Sequence, residues 1–151
     1  MDDHLRRPEI VPMQPRHIEE IAAIEKLCFS RPWSYEALAD ELRNPLAVFF
    51  VAERDEKAAA YAGMHHILDE GYITNIAVHP DYRRQGLATA LVRALDRYAD
   101  ENDLNRLTLE VRASNSAAID IYRRAGFDQE GVRTGFYDDP IEDGLILSKY
   151  Y

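Results

Sequence analysis

The chain has 151 residues, 46% of them apolar and 30% charged, enough for one domain with a buried core and ordinary for a globular protein. Its formal net charge of −9 repels phosphate backbones, which excludes general affinity for nucleic acid and favours cationic acceptors. One cysteine, Cys28, excludes an internal disulfide and suits a reducing cytoplasm, and no apolar run approaches bilayer-spanning length.

The start, Met1-Asp2-Asp3-His4, does not read as a secretory signal, and the chain carries no internal repeat or low-complexity tract. A first strand is predicted near residues 8 to 13, then a helix starting around Pro15 with Ile18, Ile21, Ala22 and Leu27 facing inward. Cys28 reads as a small buried residue. Ser34 is suited to cap a second helix that ends before Pro45. Leu46 to Glu53 reads as a strand, Asp55-Glu56-Lys57 as a turn and Ala58 to Leu68 as the next strand; Asp69-Glu70-Gly71 then closes a hairpin into Tyr72. His65 and His66 are adjacent in that strand and point to opposite faces, with the other histidines apart, so no metal site is expected.

The run from Ile76 to Ala88 reads as a strand turning through a basic, glycine-bearing loop into a helix, because Pro80 cannot continue a ladder. From Gly86, the residues Leu87, Leu91, Ala94, Leu95 and Tyr98 recur at helical spacing. Gln85, Gly86 and Leu87 therefore fall in a first turn with unpaired N–H groups. Such a terminus suits a pyrophosphate, Gly86 permits close approach, and Arg83 and Arg84 add charge. The pattern is neither a Walker loop nor a dinucleotide fingerprint, and a plain strand-to-helix turn with two solvated arginines reads the same way.

Leu107 to Asn115 and Ala118 to Phe127 read as a second strand and a second capped helix. Alternation puts Leu107, Leu109 and Val111 on one face of that strand and Thr108, Glu110 and Arg112 on the other. Tyr122 shares an inward stripe with Ala118, Ile121 and Ala125, and Asn115 is suited to cap the helix that begins at Ser116. Phe127 to Tyr137 and Glu142 to Tyr150 form a final strand pair. The order is mixed α+β, with a central parallel pair, Tyr72 to His79 and Arg106 to Arg112, joined by a helical crossover. Ligands in such sheets bind beyond the carboxyl ends of the strands, which brings the loop from Arg83 to Ala88 and the segment Ala113 to Asn115 to one edge.

At these residues the chain resembles a known family. The loop with Arg83, Gly86 and Ala88 is similar to the acyl-CoA pyrophosphate loop of the GNAT family of N-acetyltransferases. Glu110 to Asn115, Ile121-Tyr122 and Gly126-Phe127 resemble the branch that acetylates protein N-termini, typified by bacterial ribosomal-protein-alanine acetyltransferases. Phe29, Pro32, Trp33 and Ser34 resemble that branch too. Where its members usually carry two tyrosines before a proline, this chain has Phe136-Tyr137, and Asp138-Asp139 intervene before Pro140.

The resemblance implies one acetyltransferase domain over residues 1–151, about four helices, and a largely antiparallel sheet whose parallel pair splays around acetyl-CoA. It implies Glu110 as general base and Tyr122 as the acid that protonates the departing thiolate. It further implies that the backbone of Ile76, Ala77 and Val78 holds the pantetheine arm. Arg83, Arg84, Gln85, Gly86, Leu87, Ala88 and Thr89 would face the pyrophosphate, Asn115 would touch CoA, and Trp33 and Tyr137 would wall the acceptor pocket. Read as residues alone, Glu110 also fits a carboxylate paired with an arginine, Tyr122 and Trp33 fit core packing, and Asp138, Asp139, Glu142 and Asp143 fit either an acceptor entrance or a solvated loop. An α-amine titrates near 8 and a lysine near 10.4, so a single carboxylate base suits a terminal amine better. The implied acceptor is a protein or peptide N-terminus, with no membrane, nucleic-acid or metal partner and with direct transfer in place of an acyl-enzyme. Lysine, a small amine, or a non-catalytic acyl-CoA-binding module stay open as alternatives.

Overall fold

Residues 7 to 151 are described by the computed structural model, so the reading of Met1 to His4 lies outside the described residues. The chain begins with strand β1 (Glu9–Pro12), a 3-10 turn at Pro15–His17, and helices α1 (Ile18–Cys28) and α2 (Tyr35–Arg43). Strands β2 (Ala47–Arg54), β3 (Lys57–Ile67) and β4 (Glu70–Val78) follow. Then come α3 (Leu87–Glu101), β5 (Arg106–Arg112), α4 (Ser116–Arg124), β6 (Asp128–Asp138) and β7 (Ile141–Tyr150). This is the mixed α+β architecture expected, with four α-helices.

The strands form one sheet in the order β1-β2-β3-β4-β5-β7-β6, antiparallel at every pairing except β4 with β5. Alternation along β2 separates its two faces: Val48, Phe50 and Ala52 join the cluster under α3, while Phe49 and Val51 join the cluster under α1 and α2. Helices thus cover both faces, and β3 is buried without a break from Ala58 to Met64. The Ser34 hydroxyl oxygen accepts from the Ala37 N–H at 3.1 Å, capping α2 as its position in the sequence suggests. His17, fully buried, and Arg16 bond the Glu53 carboxylate, at 2.7 and 2.6 Å, and hold it below the usual carboxylate range.

One inward assignment is corrected. Leu27 is 57% exposed, and the stripe that α1 buries is Ile18, Ile21, Ala22, Ile24 and Glu25. Leu27 stands nine positions after Ile18, about half a turn round the helix from it. A buried carboxylate occupies the stripe where an apolar residue was expected.

The feature that makes a site is the short pairing of β4 with β5. Register runs only from Glu70 opposite Arg106 through Gly71 opposite Leu107 to Tyr72 opposite Thr108. Beyond Tyr72, β4 stays with β3 as far as Val78, and β5 stays with β7 along its whole length. The sheet therefore divides into two halves with a cleft between them, open toward the carboxyl ends of the parallel pair. Gly71 sits where the strands are tightest, because a Cβ there would stand 2.5 Å from Leu107 Cδ2. Beside the cleft, Gly63 pairs with Asn75 and Met64 with Ile73, which leaves Thr74 as an extra residue in β4.

Candidate active site

The cleft has a volume of about 620 Å³ and is walled by β4 from Ile73 to Ile76, β5 from Leu109 to Arg112, the end of α1, the start of α4 and the turn between β6 and β7. Of the residues singled out from the sequence, Ile76, Glu110, Asn115, Tyr122, Trp33 and Tyr137 line it. Ala77, Val78 and the loop from Arg83 to Thr89 follow on from the β4 wall and stand outside its lining.

Glu110 reaches the cleft because β5 alternates as expected: Leu107, Leu109 and Val111 are buried against the core and Glu110 faces away from them. Its side chain is only 7% exposed, so its charge needs partners. Arg133 Nε donates to Oε1 at 2.9 Å and the Tyr72 hydroxyl donates to Oε2. Glu110 is thus paired with an arginine, as the residue pattern alone allows, and it also lines the cleft. Burial, then the bond to Glu110, push the Tyr72 phenol above its ordinary value.

Tyr122 is buried, its ring lies edge-on to Phe127 with centroids 5.4 Å apart, and it also lines the cleft. Burial pushes its phenol well above the ordinary value. Asn115 Oδ1 accepts from the Ala118 N–H at 3.2 Å, so the cap is real and a ligand contact would fall to its amide nitrogen. The Tyr137 phenol is pushed up to about 12, chiefly by burial and then by the Glu110 charge, and the Arg112 guanidinium lies 4.4 Å from its ring centroid. Trp33 stands 6.4 Å from Phe49, and its backbone N–H donates to Glu25 Oε1 at 2.9 Å.

At the start of α3, Gly86 has φ 77° and supplies no side-chain cap, while the Ala90 N–H is already bonded to the Gly86 carbonyl at 3.0 Å. The N–H groups of Leu87, Ala88 and Thr89 thus have no helical acceptor, and a Cβ built on Gly86 would meet nothing within 4 Å. Arg84 takes φ 64°, left-handed for a non-glycine residue, and Arg83 Nη2 lies 3.5 Å from Cys28 Sγ.

Cys28 corrects a second expectation. It is half-buried and lines the cleft, with its thiol donating to the Val78 carbonyl at 3.4 Å, because it ends α1 just where that helix meets the open end of β4. The acidic group late in the chain is largely tied to its own chain. Asp138 pairs with Arg31 at 2.8 Å, Glu142 accepts from Ser114 N–H at 2.7 Å and from Arg112 at 3.3 Å, and Asp143 accepts from Gly135 N–H at 2.9 Å. The Ser30 hydroxyl donates to the Asp139 carbonyl at 2.6 Å, which closes one side of the cleft. His65 reaches Glu41 of α2 and His66 reaches Tyr98 of α3, on opposite faces, and no group of metal-binding side chains occurs among the described residues.

Tyr72, Arg133, Glu25, Tyr61 and Asn75 bring polar groups to or near the cleft and were not singled out from the sequence. Glu25, 1% exposed, accepts from the Tyr61 hydroxyl at 2.8 Å as well as from Trp33, and its burial raises its carboxyl above the ordinary value. A carboxylate on the inward stripe of α1 is the one signal in the sequence that could have drawn attention to it.

Residues 18–127 match the model of a family described as the acetyltransferase (GNAT) family. Over 127 residues the chain is 38% identical to a ribosomal protein bS18-alanine N-acetyltransferase of Escherichia coli (strain K12), covering 83% of this chain and 85% of the relative. It is 30% identical over 144 residues to an N-alpha-acetyltransferase of Sulfurisphaera tokodaii, covering 87% of this chain and 86% of that one. The crystal structure of the ribosomal-protein-S18-alanine N-acetyltransferase from Escherichia coli superposes with a TM-score of 0.88 and 34% identity, covering 95% of this chain and 94% of the other. Among the described residues, no helix is long and apolar enough to cross a membrane.

Proposed function

This chain belongs to the acetyltransferase (GNAT) family, and from that premise we propose that it transfers the acetyl group of acetyl-CoA to the α-amino group of a protein N-terminus. The observation that carries the reading is the parting of β4 and β5, which leaves a carboxylate, Glu110, and a buried phenol, Tyr122, lining one cleft from different elements. The names of the relatives support the acceptor class, and a ribosomal-protein N-terminal alanine is the acceptor proposed within it. One free cysteine fits a cytoplasmic setting.

The α3 N-terminus fits the pyrophosphate of the co-substrate: three N–H groups without helical acceptors, an open approach over Gly86, and arginine charge beside them. The backbone of Ile76 to Val78 holds the pantetheine arm and supplies N–H to the thioester oxygen. Glu110 removes a proton from the acceptor ammonium, directly or through water, and the freed amine attacks the thioester carbonyl. As the tetrahedral adduct collapses, the C–S bond breaks, Tyr122 supplies a proton to the thiolate, and the second proton shed by the nitrogen restores the Tyr122 phenol through solvent. Burial keeps the Tyr122 phenol protonated through the working range, so that proton is present when the sulfur departs. Trp33 and Tyr137 wall the acceptor side, where Phe136 in place of a tyrosine leaves one fewer hydroxyl to meet the peptide.

The test is mass spectrometry of peptides incubated with acetyl-CoA, using one pool with free N-termini and one N-blocked with internal lysines. Acetylation confined to free N-termini, with kcat falling about 100-fold or more in Glu110→Gln at unchanged acetyl-CoA affinity, is expected. Modification of lysines moves the chain to another branch. Acetyl-CoA binding without transfer to either pool favours a small-amine acceptor or a non-catalytic acyl-CoA module.

A further inference from the structure

Asn75 lines the cleft from β4, is 8% exposed, and its side-chain carbonyl oxygen has no hydrogen-bond partner among the described residues. Such an acceptor is costly to bury unless a ligand supplies the missing donor. Its neighbours fix which way the amide faces. Glu25 Oε1 accepts from the Trp33 N–H and Glu25 Oε2 accepts from the Tyr61 hydroxyl. Having given its proton to Glu25, the Tyr61 oxygen can only accept, and the Asn75 side chain lies near enough to act on that phenol. The amide nitrogen of Asn75 is the only donor that side chain has, so its carbonyl is turned away from Tyr61.

The bulge at Thr74 decides which face this carbonyl serves. In regular alternation Tyr72 and Asn75, three positions apart, would face opposite sides. With Thr74 as an extra residue they face the same one. Ile73 packs into the cluster under α3, which turns Tyr72 toward Glu110, and Asn75, two positions before Ala77, shares the strand face that joins the cluster under α1. Ile76 and Val78 pack with the cluster under α3, whose N-terminus is the proposed pyrophosphate cradle. Asn75 therefore stands on the side of Glu110, Tyr72 and Trp33, away from the cofactor.

We propose that Asn75 is a specificity residue for the acceptor, its carbonyl oxygen taking one N–H of the incoming α-ammonium, with Tyr61 and Glu25 as positioning residues that hold it in that orientation. The inference rests on the N-terminal acetyltransferase reading above. An ammonium carries three N–H groups: Glu110 takes the proton that leaves before attack, Asn75 accepts from a second and so aims the nitrogen lone pair, and one further proton leaves the nitrogen as the adduct collapses.

The experiment measures acceptor KM, kcat and acetyl-CoA affinity for wild type, Asn75→Leu, Asn75→Ala, Tyr61→Phe and the Asn75→Leu/Tyr61→Phe double variant. Asn75→Leu keeps the volume and removes the acceptor; it is expected to raise KM for a free-N-terminus peptide about tenfold or more, with acetyl-CoA affinity within about twofold of wild type. Retained acetyl-CoA binding also reports a folded protein, and Asn75→Ala serves if the leucine does not fold. Tyr61→Phe is expected to raise KM less, about threefold, and to add nothing on top of Asn75→Leu, as a positioning role requires. An unchanged KM in the folded Asn75 variants overturns the proposal. So does an equal loss of acetyl-CoA affinity, which would make an amide of the pantetheine arm the donor. Wild-type protein that acetylates no free N-terminus overturns the functional reading itself, an outcome separate from wild-type transfer matched by its Asn75 variants.

Discussion

Glu110 is held by two donors before any substrate arrives, and the two differ in kind. Tyr72 donates from β4 across the cleft, while Arg133 is 57% exposed and reaches in from β6. The exposed Arg133 guanidinium can return to water, so it is the partner that gives way when the carboxylate takes a proton. Tyr122 makes a sharper prediction. Because burial pushes its phenol upward, the acid stays protonated well past neutrality. At saturating acceptor, where the titration of the free amine drops out, kcat is therefore expected to show no descending limb below about pH 9. Tyr122→Phe should lower kcat about 100-fold at unchanged acetyl-CoA affinity. A pH–rate profile that falls between pH 8 and 9 in wild type would assign the acid to another group. Glu110 and Tyr122 were legible because one alternating strand and one helical stripe suffice to orient them. Tyr72 and Arg133 were not, because they lie 38 and 23 residues from Glu110 and meet it only through the sheet order.

Among the elements, β4 does the most to create the site. Its first residues pair with β5 and the rest part from it after Tyr72, next to Gly71, where the Leu107 side chain leaves no room for a Cβ. A Cβ at that position would stand 2.5 Å from Leu107 Cδ2 and 3.1 Å from Met64 Sδ, both on buried side chains. Gly71→Ala is therefore expected to overpack the hinge of the cleft, costing about 1–3 kcal/mol and lowering Tm by roughly 3–10 °C in thermal unfolding. An unchanged Tm would mean that the strands open there without strain. The sequence made every strand and helix of the described chain legible to within a few residues, since turns, caps and periodicity are local. Two things were not local. The bulge at Thr74 depends on how β4 registers against β3, so the shared face of Tyr72 and Asn75 could not be read from alternation. The exposure of Leu27 and the burial of Glu25 depend on which side of α1 meets Tyr61, and apolarity alone pointed the wrong way.

For the molecule as a whole, the question is whether the acetyl group passes directly to the acceptor or rests on the protein. Cys28 is the residue that forces the question, because it lines the cleft at the end of α1, where a small buried residue was expected. A covalent acyl-enzyme needs a thiolate and a base to make it. The polar contacts of the Cys28 sulfur are the Val78 carbonyl, to which it donates, and the Arg83 guanidinium, which donates to it; neither removes a proton. The groups suited to proton transfer, Glu110 and Tyr122, line the cleft from β5 and α4, and in the function proposed above they serve an amine attacking the thioester itself. That proposal has both substrates bound together. Initial rates measured against acetyl-CoA at several acceptor concentrations are expected to give intersecting reciprocal plots, and Cys28→Ser is expected to retain kcat within about threefold. Parallel plots with an inactive Cys28→Ser would place the acetyl group on the thiol and reduce Glu110 to the base of a second half-reaction.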